Sequence, residues 1–172
     1  MDLQQSWTKF LQGEQFMENG HWQQACCIFQ EVMTELPAHF ETAAQGEDVK
    51  PCQLHCILKG FADSAIYQSE ILNKFGRQSL AFEALNTAYG HCQFWKYNRD
   101  FEHIMCALNS NANVLFQHME QFCQAQLSLP TPETVWQNRL NDMQQAHKNF
   151  NLIHTVHHYP DSQPNSSLFM AS

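Results

Sequence analysis

The residues of this chain best suited to metal binding or redox and acid-base chemistry are its seven cysteines and ten histidines. Cys52 and Cys56 stand one helical turn apart and His103 stands three residues before Cys106, so each pair offers two ligands to one ion. A structural zinc site takes four ligands, commonly in Cys-x-x-Cys pairs, and that pair does not occur here. Glu18 and His21 have the Glu-x-x-His spacing of di-iron bundles, but Gly20 interrupts the helix between them and such a site needs a second copy on a facing helix. His154, His157 and His158 group near one helical face and suit a divalent ion or a change of charge below about pH 6.5. The bland reading of the same three is packing on a half-exposed helix. Cys26 and Cys27 point about 100° apart on a helix, and their place between Ala25 and Ile28 reads as core. A phosphate-binding glycine loop, a Gly-x-Ser-x-Gly elbow and a His-Glu-x-x-His pair are all absent. The expectation is a protein that is not an enzyme, with no cofactor and no metal site.

Composition narrows the classes of partner. With 17 Asp and Glu against 9 Lys and Arg the net charge is −8, which leaves no basic surface for nucleic acid or for an anionic membrane. A hydrophobic share of 44 % with 13 Phe, against 15 % charged residues, excludes a disordered chain. No window approaches the roughly 18 apolar residues of a membrane span, and residues 1–7 have neither a basic nor an apolar leader region. The odd number of cysteines, set in apolar helix-like runs, points to reduced thiols and a cytoplasmic location.

Apolar residues recur three and four apart almost throughout, so the expected fold class is all-α. The first helix runs from about Ser6 through Trp7, Phe10, Leu11, Phe16 and Met17 and stops at Asn19-Gly20. The second, carrying Trp22, Ala25, Phe29 and Val32, is expected to end before Pro37, with 37–51 as a connecting loop or insertion. Residues 52–75 and 78–95 form a second antiparallel pair broken at Gly76. The stretch 101–127 is helical with an expected interruption at Asn109-Ser110-Asn111. The last helix is long, capped by Thr131 with Pro132 at its first position, and presents a heptad seam of Trp136, Leu140, Met143, His147, Phe150, His154 and His157. One domain over 1–158 and a flexible tail over 159–172 complete the expected organisation.

Gly20, Ala25, Phe29 and Val32 recur in spacing as Gly76, Ala81, Leu85 and Ala88, 56 residues on. Over 7–37 the order Gly13, Phe16, Gly20, Trp22, Ala25, Phe29, Pro37 resembles the tetratricopeptide repeat, and a weaker match covers 65–88. Lys9, Gln12, Val32, Ser69 and Gln78 depart from the motif. The resemblance implies a stack of antiparallel helix hairpins with a long C-terminal helix, in which the first helix of each unit lines a groove for a protein or peptide segment. By position those lining residues are Trp7, Phe10, Glu14, Met17 and Glu18, then Asp63, Ile66, Glu70, Asn73 and Lys74. The expected function is therefore a protein-interaction module, such as an adaptor or a small secretion-type chaperone. Two other classes stay open: a cavity-bearing bundle that binds a small ligand or metal through His and Cys, and a structural homo-oligomer paired through the last helix.

Overall fold

The computed structural model describes residues 3–46, 49–130 and 134–156, with the side chains of 99–100 and 153–156 excepted. The fold is all-α. Among the described residues six helices follow one another: α1 (Leu3–Glu18), α2 (Trp22–Gln45), α3 (Pro51–Lys74), α4 (Gln78–Lys96), α5 (Met105–Leu127) and α6 (Thr134–Val156), with a 3-10 turn over Arg99–Ile104 before α5. None of the described helices is long and apolar enough to cross a membrane.

Both early hairpins turn by the same local device. Gly20 and Gly76 have φ of +75° and +71°, a left-handed conformation that glycine adopts without a side-chain clash. At the first turn Gly20 N–H bonds the Met17 carbonyl and His21 N–H the Phe16 carbonyl. At the second, Gly76 bonds Asn73 and Arg77 bonds Leu72 in the same two registers. These paired bonds make a Schellman cap at the end of α1 and again at the end of α3.

Short connections lay each helix antiparallel to the one before it, and α3 also touches α1 and α5. Ala25, Phe29, Val32, Ala81, Leu85 and Ala88, the positions that recur in sequence, are all buried. Gly13 is small because Phe29 fills the space beside it: an added Cβ would lie 2.6 Å from Phe29 Cε1. Gly60 on α3 does the same for Trp7 on α1, whose Cζ3 would be 2.9 Å from a Cβ there.

Three expectations are corrected. Helix α2 does not stop ahead of Pro37; it continues to Gln45, and only residues 46–50 connect it to α3. An interior proline costs about 3 kcal/mol through its lost N–H and ring clash. Offsetting it, the extra two turns bury Phe40 completely, stacked on Phe101 at 5.7 Å and against Trp95 at 4.6 Å. Next, α5 is unbroken at Asn109–Asn111, because Asn111 Nδ2 donates back to the Ala107 carbonyl at 2.9 Å within the helix. Finally, only Cys92 and Cys123 are buried, whereas Cys26 is half-buried and Cys27, Cys52, Cys56 and Cys106 are exposed. The seam of α6 does pack, with Trp136, Leu140, Met143 and Phe150 buried and His147 half-buried. The caps expected at Thr131 and Pro132, the tail, and His157 and His158 lie outside the described residues, as does the His154 side chain.

Candidate functional site

A depression of about 900 Å³ lies between α2 and α4, with α3 as its floor. It exists because α2 and α4 each pack on α3, leaving a trough between them. Its floor is Leu72 and Gln68, and its apolar walls include Met33, Pro37, Leu80 and Ala84. Gln68 is only 4 % exposed, and its amide Nε2 donates to the side-chain Oε1 of Gln30 on the α2 wall. Thr34 and Thr87 stand on opposite walls.

The two ends of this furrow differ in charge. Arg77, at the start of α4, lies near Cys26, whose thiol is pushed up chiefly by burial, with Arg77 opposing. At the far end Glu41 accepts the Trp95 indole N–H at 2.8 Å. His91 sits there too, edge-on to Phe61 at 5.7 Å and beside Trp95 at 5.3 Å. Burial lowers the His91 pKa from its usual value, and the Glu41 carboxylate partly opposes that.

The residues expected to line a groove of first helices fall elsewhere, and not all together. Phe10 and Ile66 are core residues, 4 % and 7 % exposed, which corrects their expected place on an open surface. Trp7 is half-buried against Gly60 and Phe10, so α3 covers it rather than the last helix. Glu14, Met17 and Asp63 are half-buried, and Glu18, Glu70 and Asn73 are exposed. Tyr67 connects the two helices, 3.5 Å from Glu14 Oε1 and stacked on Phe10. Burial, then the nearby Asp63 carboxylate, raises the Glu14 pKa. Asp63 itself pairs with Lys59 at 2.5 Å. Lys74 leaves this face altogether and sits over the Trp22 indole at 4.1 Å.

A third polar group joins α6 to the stack. His147 stacks on Phe116 at 3.8 Å and shares a hydrogen bond of 2.9 Å between its Nδ1 and the Tyr89 hydroxyl. Lys96 is buried, donates to the Phe150 carbonyl and lies 3.6 Å from that ring's centre. Burial lowers the Lys96 pKa, and burial followed by the Lys96 charge lowers that of His147. Among the described residues no three of His, Cys, Asp and Glu converge to hold a metal ion.

Sequence reasoning missed Gln30, Gln68, Arg77 and Glu41. The signal for Glu41 was present: Val32, Leu36 and Phe40 continue the helical rhythm across Pro37 and carry α2 to it. Comparison with protein-family models, with curated proteins and with solved structures gave no significant match.

Proposed function

We propose that this chain is a noncatalytic interaction module with a tetratricopeptide-like arrangement of hairpins, which holds a segment of a partner protein as an adaptor or small chaperone does. The observation that carries the reading is the furrow of about 900 Å³ between α2 and α4. Its apolar wall residues, interspersed with amide and hydroxyl groups, are the composition of a site that orients a ligand by a few polar contacts while burying its apolar groups. The repeated Schellman turns and the contacts of α3 with both α1 and α5 support the hairpin stack. All seven cysteines are unpaired, in keeping with a reducing cytoplasm.

Purification of the full chain from its host, followed by mass spectrometry, tests this. A stoichiometric protein partner should be retained by the wild type and lost by Thr87→Arg, which fills the furrow from an exposed position. Retention of the partner by a folded Thr87→Arg protein would reject the furrow as its site.

A second reading places the segment on the face shared by α1 and α3. What favours it is the half-buried pair Glu14 and Asp63 beside Trp7 and Met17, a surface suited to a basic, partly apolar segment. On this reading the partner is lost by Glu14→Lys and kept by Thr87→Arg.

A further inference from the structure

The chain leaves α6 beside one end of the furrow. Three side-chain ties fall in the same order along α4 and α6: Glu83 with Arg139, Tyr89 with His147, and Lys96 with the Phe150 carbonyl. The two helices therefore run parallel, and the last turns of α6 lie beside the C-terminal end of α4. That end also bounds the furrow, through His91 on α4 and Glu41 on α2. Residues 157–172, which follow, divide in two by composition. Residues 157–167 carry Pro160, Pro164 and mostly polar side chains, as a spacer does. Leu168, Phe169 and Met170 then stand as three consecutive apolar residues, and no Asp, Glu, Lys or Arg occurs after Asp161.

The reach is sufficient. Val156 lies six residues beyond Phe150, and His91 five residues before its partner Lys96, so the way back to the furrow is ~17 Å at the helical rise. Passing over α4 adds one helix width of ~10 Å. A spacer of eleven residues covers about 34 Å even at the ~3.1 Å per residue of a polyproline-like chain. The crossing itself carries an exposed apolar ring. Phe94 is 58 % exposed and shares the face of Glu83 three turns further on, with Gly90 between them leaving open space where a Cβ would stand.

The furrow matches this segment in chemistry. Its half from Met33 to Glu41 is lined by Pro37, Ala38, Ala84, Thr87 and His91, and Arg77 stands at the opposite end. Both carboxylates of the lining are engaged, Glu41 by the Trp95 indole N–H and Glu83 by Arg139. An apolar segment without charged side chains leaves those pairs intact, whereas a charged one would break a pair or stay unpaired itself.

Resting on the furrow reading above, we propose that Leu168, Phe169 and Met170 of the same chain occupy this half of the furrow, against Met33, Pro37 and Ala84, and that a partner segment binds by displacing them. Cys27, six residues before Met33 and about 9 Å away along α2, stays outside the covered half.

The test compares the full wild-type chain with a full chain carrying Leu168→Ser, Phe169→Ser and Met170→Ser, and its probe is a synthetic peptide of residues 159–172. The triple-serine chain should bind the peptide, and the wild type, filled by its own segment, should bind it at least tenfold more weakly. Adding Thr87→Arg to the triple-serine chain should abolish that binding. Equal binding by the two chains, or none by the triple-serine chain, would overturn the proposal. Binding that survives Thr87→Arg would seat the segment elsewhere and overturn it as well. A wild-type dimer that the three serines dissolve would place the segment on a second copy and overturn the contact within one chain. The furrow reading is decided separately, by whether the host partner is lost from the Thr87→Arg protein.

Discussion

A methyl group at Gly13 would meet Phe29 Cε1 at 2.6 Å, so the tightest demand in the first hairpin falls on a residue with no side chain. Gly13→Ala should cost about 1–3 kcal/mol in chemical denaturation, the range for overpacking a core whose neighbour is fully buried and cannot swing away. Wild-type stability in that variant would mean that Phe29 is free to move. His147 gives a second prediction at this scale. Its folded pKa lies below the usual value, because burial and Lys96 disfavour the cation. The neutral ring therefore contributes stability that is present above about pH 6.5 and is lost as the pH falls through the depressed folded value. The melting temperature should fall between pH 7 and 5, and His147→Phe should flatten that fall; His91, shifted the same way, leaves a residual slope. Parallel curves for the two proteins would contradict this. Glycine and alanine positions were legible in the sequence because their spacing records where helices approach. Gln68 was not, since a buried glutamine differs from an exposed one only by what surrounds it.

At the scale of elements, the two glycine-terminated hairpins could be read from sequence, since Gly20 and Gly76 each follow an apolar periodic run and the chain needs a left-handed residue there. The course of α2 could not. Local proline chemistry argues for a stop at Leu36, and only tertiary burial of Phe40 against Trp95 and Phe101 overrides it. Phe40→Ala should thus cost about 3–5 kcal/mol and open residues 38–45 to limited proteolysis, while the chain ahead of Pro37 stays protected. Cleavage no faster than in the wild type would show that the extension of α2 does not depend on that ring. The supposed break in α5 failed for a related reason. Asn111 satisfies its own amide within the helix, and Leu108, Ala112 and Leu115 around it are core residues. A polar run on a helix reads as a cap only when its neighbours are exposed.

For the whole molecule, the stacking of hairpins creates a feature that no single element contains. The furrow forms because α2 and α4 straddle α3, so its walls come from residues some 50 positions apart in sequence, such as Gln30 and Leu80. Periodicity reveals which face of a helix is apolar and leaves open which two helices will stand side by side with a gap between them. That is why the all-α class was legible and the furrow, walled by the second helices of the hairpins, was not. The native cysteines report on it directly. Cys27 lines the furrow and is exposed, while Cys52, Cys56 and Cys106 are exposed away from its lining and serve as internal references. The decisive measurement is the rate of Cys27 alkylation, resolved by peptide mass spectrometry, in the free chain and in the complex with its co-purified partner. A bound segment in the furrow should slow Cys27 at least tenfold and leave the three reference thiols unchanged. Equal Cys27 rates in the free and bound chain would contradict the furrow as the site of binding.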